Sequence, residues 1–281
     1  MRFRLIKIWQ VLNGQRWREN NYKQFMRRLI LFSLIFLAFS SSLLEAQDVD
    51  FASNQQLAEQ GDADAQYILA LFYDNGVSVE RNLTQAAYWY EQAAQQGHIA
   101  AQFNLAQMYR LGDGLSLDTE LALYWFMQAA EEGNDPQAQY ILGDIYRYGE
   151  GVEPNNNEAF RWYILAAEQM HPEAEYMTGI LIAAGIGAPE NDFMALRWLR
   201  KAAKQGHARA FYALGEMYQR GEGIDEDLVQ AYVWYSAAAE LQHSQAAARR
   251  NLLTANLEPE LLVMAQDQAA SCIASEFQLC E

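Results

Sequence analysis

Small and apolar residues recur along the chain in paired short blocks, each with helical spacing. In DAQYILALFYD, Ala65, Leu69 and Tyr73 stand at i, i+4 and i+8 and share one helix face. In TQAAYWYEQAA, Ala86, Trp89 and Ala93 stand at i, i+3 and i+7, again a single face. Turn residues follow each block, so the pattern predicts a helix A, a reversal, a helix B and a second reversal. The pair repeats: Trp89, Trp125, Trp162, Trp198 and Trp234 are spaced by 36, 37, 36 and 36 residues. The opening alanines Ala65, Ala101, Ala138, Ala174 and Ala210 keep this period, as do Tyr73, Tyr109, Tyr146 and Tyr218, with Ile182 in the fourth place. No single pair could bury its apolar face alone. The expectation is therefore an all-α fold, an α/α superhelical solenoid of about five helix-pair repeats.

Glycines punctuate the units. The Gly-x-Gly pairs beginning at Gly112, Gly149, Gly185 and Gly221 supply positive-φ positions where helix A stops and reverses, while Gly76 is followed by Ser78 in the first unit. Gly97, Gly133 and Gly206 end helix B. Met170 and Gln242 replace them in two units, where the stop is expected to be weaker. The single 37-residue interval is assigned to an added residue in NDPQA, with Pro136 in the first turn of a helix. At Ala70, Ala106, Gly143, Gly179 and Gly215 a small residue lets two helices approach, with tryptophan filling the space between units. The organisation expected is a half-repeat over 47–61, five repeats over 62–97, 98–133, 134–170, 171–206 and 207–242, and a degenerate repeat with a C-terminal capping helix over 243–281.

The first 46 residues read differently. Two arginines, an apolar run from Leu29 to Phe39 and small residues up to Ala46 form a secretory signal peptide pattern, behind a basic stretch long enough to suggest Met26 as the true start. The run is short for a membrane span of about 20 residues, so export to the periplasm or beyond is expected. The alternative is an inner-membrane anchor through residues 29–44. Residues 1–46 carry eight Lys/Arg and two Asp/Glu, so the whole-chain charge of −16 becomes −22 for the remainder. A body this acidic repels phosphate backbones, which excludes sequence-independent nucleic-acid binding. In an exported chain Cys272 and Cys280 read as a disulfide. Along one continuous helix their Cα atoms would stand about 12 Å apart, so the chain must turn back near Ser275 for the bond to form.

The pattern AxxxLGxxYxxGxG followed by AxxWxxxAAxxG, repeated over residues 62–242, closely resembles the Sel-one-like repeat (SLR) family, relatives of tetratricopeptide proteins. The tail, with its helix after LEPE and its cysteine pair, resembles that of exported bacterial members. The resemblance implies a scaffold or adaptor for other proteins in envelope assembly, signalling regulation or host interaction. Cysteine-rich members associated with penicillin binding or β-lactam hydrolysis carry a cysteine pair in each repeat, and here no repeat contains a cysteine.

The remaining chemistry is sparse. His98, His171, His207 and His243 occupy one repeat position before helix A, where other units have Asp62 or Asn134-Asp135, so they read as helix caps. Successive equivalent positions lie about 10 Å apart in a stack of helices, too far to converge on one zinc ion. The Gly-x-Gly loops follow helices and enclose Asp113, Glu150 and Glu222, which repel phosphate. No serine is followed by lysine at the third place, and no Gly-x-Ser-x-Gly occurs, after the signal segment. No enzyme activity, cofactor or metal is expected. The rivals are an envelope enzyme with penicillin-binding or β-lactamase-like activity, or a membrane-anchored regulator.

A protein or peptide partner is expected instead, on a concave surface formed by helices A. Tyr67, Phe103, Tyr140, Tyr176 and Tyr212 form an aromatic ladder that serves either recognition or packing between units. More variable positions, Gln107, Asp144 and Glu216 in one row and Arg110, Arg147 and Gln219 in another, with Tyr148 and Arg220, line a mixed polar and aromatic groove. Arg197, Arg200, Lys201, Lys204 and Arg209 break the acidic pattern, either as a solvated convex face of the fourth unit or as a docking patch for an acidic partner.

Overall fold

The computed structural model describes residues 51–278 and residue 280. The signal segment, its cleavage site and the candidate start at Met26 lie outside the described residues. Residues 51–59 are helical (α1). Five helix pairs follow: α2 (Ala63–Asn75) with α3 (Leu83–Gln95), α4 (Ile99–Leu111) with α5 (Thr119–Met127), α6 (Pro136–Tyr148) with α7 (Asn156–Glu168), α8 (Pro172–Ala183) with α9 (Asp192–Lys204), and α10 (Ala208–Arg220) with α11 (Leu228–Glu240). Each helix packs against the next along the chain, within a unit and across the joint to the following one, so the fold is an all-α solenoid. Two further helices, α12 (Ala246–Asn256) and α13 (Pro259–Ala274), both pack on α11 and close that end. No described helix is long and apolar enough to cross a membrane.

The repeated core centres on the residue after each tryptophan. Tyr90, Phe126, Tyr163, Leu199 and Tyr235 are all fully buried. They project from helix B onto the small residues of helix A: a Cβ added at Gly143, Gly179 or Gly215 would sit 2.6, 2.8 or 2.7 Å from Tyr163, Leu199 or Tyr235. Removing Cβ there lets a tyrosine ring or the Leu199 side chain lie against the backbone of its partner helix, and each such side chain contributes about 1.5–3 kcal/mol by burial. Trp125, Trp162, Trp198 and Trp234 are buried beside them, while Trp89 of the first unit is partly exposed.

Local chemistry sets the ends of the elements. Asp62, His98, Asp135, His171 and His207 each accept the backbone N–H three residues on and cap helices A. Asn82, Asp118, Asn155, Asn191 and Asp227 cap helices B in the same way. In the Gly-x-Gly loops the two glycines have separate roles. The first adopts the left-handed conformation that ends helix A, as at Gly112 with φ 73°. The second touches the preceding unit: a Cβ on Gly187 would lie 2.1 Å from the carbonyl oxygen of Asn156 at the start of α7.

Three joints differ from the sequence expectation. Met170 and Gln242 take a positive φ, 63° and 62°, in the same left-handed region as Gly97 and Gly206 at 84° and 80°, so packing imposes the stop regardless of side chain. The added residue of the 37-residue interval is absorbed upstream of NDPQA, in a π-helical last turn over Gln128–Glu132 that continues α5. Asn134, with φ 51°, then takes the left-handed place, and Pro136 opens α6 as expected. Cys272 and Cys280 are bonded with Cα atoms 4.4 Å apart. The reversal that permits this follows Ser275, at Glu276 and Phe277, which both have positive φ.

Candidate functional site

The helix A face is built from one position per turn of each A helix, and its aromatic ladder joins neighbouring units. The rings of Tyr67, Tyr140, Tyr176 and Tyr212 stack on His98, His171, His207 and His243 of the following unit, at centroid distances of 4.4, 4.9, 4.7 and 4.4 Å. Three of them also tilt against the core ring of their own unit, Tyr67 on Tyr90, Tyr140 on Tyr163 and Tyr212 on Tyr235. Phe103 meets Phe126 edge-on at 5.7 Å and has Asp135, not a histidine, ahead of it. All five ladder residues are half-buried, so much of each ring is committed to the joint.

Three of the histidines that hold these rings have both ring nitrogens engaged. Nδ1 of His98, His171 and His207 accepts the N–H of Ala101, Ala174 and Ala210, each at 3.2 Å. Nε2 points back to the preceding unit, 3.5 Å from Asp64, 2.8 Å from Gln137 and 3.4 Å from Glu173 respectively. Burial pushes the His171 and His207 imidazoles below their ordinary range, with Glu173 pulling both the other way. His243 stacks like the others but caps nothing, because Gln245 precedes α12. Among the described residues no group of three His, Cys, Asp or Glu side chains could hold a metal ion.

The variable positions of the face form a chain of local contacts. Asp144 accepts a 2.5 Å hydrogen bond from the Tyr163 hydroxyl. Burial, together with Asp144, pushes the Tyr140 hydroxyl up to about 12, so it stays a neutral donor. Arg110 is bound in a two-pronged ion pair to Glu150 of the next unit's loop, at 2.9 and 3.2 Å. Arg147 instead lies over the Tyr148 ring at 5.4 Å and 3.6 Å from the Met177 sulfur. Glu216 meets Arg220 at 3.4 Å and Arg249 of α12 at 3.7 Å, and Gln219 accepts from the Tyr235 hydroxyl at 2.8 Å. Gln107 is half-buried on α4, and Leu111 and Tyr148 are each 62% exposed at the C-terminal rim. The surface offers hydrogen-bond donors, acceptors and aromatic edges, with the shared proton acceptors already bonded to phenols and guanidinium groups.

Sequence reasoning missed two contributors. Arg249 belongs to the tail, where the repeat pattern fails, yet it donates to the Tyr212 hydroxyl at 3.2 Å. Arg209 was grouped with the outer basic run, but it opens α10 and lies over Tyr176 at 4.8 Å and 3.7 Å from Glu173, on the helix A side. The period itself carried the second signal, because Arg209 occupies the place of Asp64, Gln137 and Glu173 in other units.

The pattern of the family described as Sel1 repeat matches residues 63–98, 99–134, 136–171, 172–207 and 208–243. Among solved structures, a protective antigen of uropathogenic Escherichia coli strains displaying an SLR fold is 35% identical, with a TM-score of 0.68 over 70% of this chain. The match covers 42% of that antigen, so this chain spans less than half its length. A Sel1 repeat protein from Oxalobacter formigenes is 30% identical, with a TM-score of 0.62, over 75% of this chain and 89% of its own. No curated protein matches the sequence.

Proposed function

The chain belongs to the Sel1 repeat family, and on that premise we propose that it is a non-catalytic scaffold of the bacterial cell envelope that holds a protein or peptide segment against its helix A face. The observation that carries this reading is the contrast between constant and variable positions. Five units repeat the same caps, core rings and joints, while the C-terminal rim of helices A changes from Leu111 to Tyr148 to Arg220, with Arg147 free of any carboxylate partner among the described residues. A backbone held constant with a varied rim is how a solenoid distinguishes partners. Residues 1–46 serve as the leader and are removed after Ala46, which places the scaffold in the periplasm or outside the cell. The description of the Escherichia coli relative as a protective antigen supports exposure of such proteins beyond the cytoplasm.

The test is a photo-crosslinking amino acid at Tyr148, compared with one at Tyr88 on helix B, in living cells. A discrete adduct from position 148 that is absent from 88 and lost on Arg147→Glu supports the helix A face. Equal labelling from both positions sinks it. Recovery of a mature chain beginning at Gln47 supports export, and an uncleaved chain in the membrane fraction favours the anchor.

A further inference from the structure

The outer surface of α9 differs from that of every other helix B. Phe193, Arg197, Lys201 and Lys204 follow one another at i, i+4, i+8 and i+11, opposite the buried residues Ala195, Leu196, Trp198, Leu199, Ala202 and Ala203. All four are exposed, Phe193 to 62%. They make a ridge of about 16 Å with an aromatic end and three cations. At the same repeat positions the first unit has Thr84, Tyr88, Gln92 and Gln95, and the second has Glu120, Tyr124, Gln128 and Glu131. The repeat therefore does not require cations here.

Their pairing is more telling than their number. The body outside residues 1–46 carries a large excess of carboxylates, and Arg81, Arg110, Arg161, Arg209, Arg220 and Arg249 each have one within ion-pair distance, while Arg147 and Arg250, single residues on other helices, lack one among the described residues. Among the described residues Arg197, Lys201 and Lys204 have none: Arg197 lies 3.8 Å from the Met194 sulfur and Lys201 lies over the Trp198 ring at 3.7 Å. Glu175, whose charged form Lys201 favours, is buried and accepts from Gln205. Lysines in a last turn do favour the helix dipole. The other B helices carry no basic residue in that turn and form over similar lengths, so the dipole does not explain the cluster.

We propose that the outer ridge of α9 docks an acidic, extended peptide segment of a partner protein, with an apolar side chain against Phe193. Charge selects the occupant. At the repeat position of Lys204 the flanking helices B carry the exposed Glu168 and Glu240, so a planar anionic membrane would meet carboxylates beside the ridge, whereas a single strand can follow the ridge within the screening length of about 8–10 Å. The site lies on the helix face turned away from the helix A groove and stands independently of it.

Fluorescence anisotropy tests this on the full mature chain, with a labelled Glu-rich peptide of about twelve residues containing leucine. The expected result is binding at low salt that weakens at least tenfold as ionic strength rises to about 0.3 M. Arg197→Glu, Lys201→Glu and Lys204→Glu together abolish it, while Phe193→Ala weakens it severalfold. Reversal of Arg81 and Arg250 together with Gln95→Glu and Asn256→Glu, all at least partly exposed and off both surfaces, imposes the same net charge and leaves binding within about twofold. If the reversed triple variant fails to fold, the alanine triple carries the same comparison. Absence of binding to the native chain overturns the proposal, as does equal loss in the control variant, or a preference for vesicles of anionic phospholipid over the peptide.

Discussion

A buried amide rung gives the sharpest test of how the units are joined. Gln139 donates to the Ala130 carbonyl at 3.2 Å and to Asn134 at 3.0 Å, and accepts from Gln169 at 2.8 Å. Gln66 with Gln96, and Glu175 with Gln205, repeat the pairing in other units. In each case the donor is the residue that caps the end of helix B. In the second unit the π-helical turn puts Gly133 at that place, which has no side chain to offer. Gln102 keeps one bond, to the Ala94 carbonyl at 3.3 Å, and its buried Oε1 has no partner among the described residues. Replacing Gln139 by leucine removes three neutral hydrogen bonds worth about 1 kcal/mol each and returns about 1 kcal/mol of apolar burial, a net loss of about 2 kcal/mol. Replacing Gln102 by leucine removes one long bond and also an orphaned acceptor whose burial costs about 1–3 kcal/mol, so the result runs from neutral to about 2 kcal/mol stabilising. Urea unfolding of the two variants, followed by far-UV circular dichroism, reads the difference. Hydrogen exchange at α4 and α6 guards against an array that opens unit by unit. Equal destabilisation by both substitutions would refute the assignment of the orphan to the π-helical turn.

Three other outcomes are expected. His171 and His207 have folded-state pKa values lowered by burial, so their contribution to stability is complete above the unfolded value of about 6.5 and is lost as pH falls through the lower folded values. His171 faces Glu173, Asp135, Gln137 and Tyr140, and His207 faces Glu173, Arg209 and Tyr176. Asparagine at both positions keeps a cap and should flatten urea midpoints between about pH 7 and 5. Met170→Gly should stabilise by about 0.5–1 kcal/mol in the same unfolding assay, because a 71% exposed side chain is exchanged for relief of a left-handed backbone. Cys280→Ser should cost about 2–3 kcal/mol for a bridge spanning 8 residues, and hydrogen exchange should rise around Phe277, which packs on Phe211 at 5.0 Å.

Much of the helix A surface is legible in the sequence because the repeat acts as an internal alignment. Tyr67, Tyr140, Tyr176 and Tyr212 stood out by position alone, and His98, His171 and His207 are the caps their position predicts, whereas His243 at the same position is not. Their mutual stacking was not legible, since Tyr140 and His171 are 31 residues apart and meet only when one unit is laid on the next. Arg110 and Arg147 looked equivalent in sequence. Glu150 occupies the first, while Ile186, at the same place in the following loop, leaves the second without a carboxylate among the described residues.

Periodicity alone determined the all-α solenoid, the helix count per unit and the sites of reversal, because helical spacing and turn chemistry are local properties written into short stretches of chain. The stacked structure decided what those stretches could not express. It forced Met170 and Gln242 into a left-handed backbone, absorbed an extra residue as a π-helical turn and, among the described residues, orphaned Gln102 and left three cations on α9 without carboxylates. Each depends on contacts between residues about one repeat apart, and the energy of such a contact exists only after the units have packed.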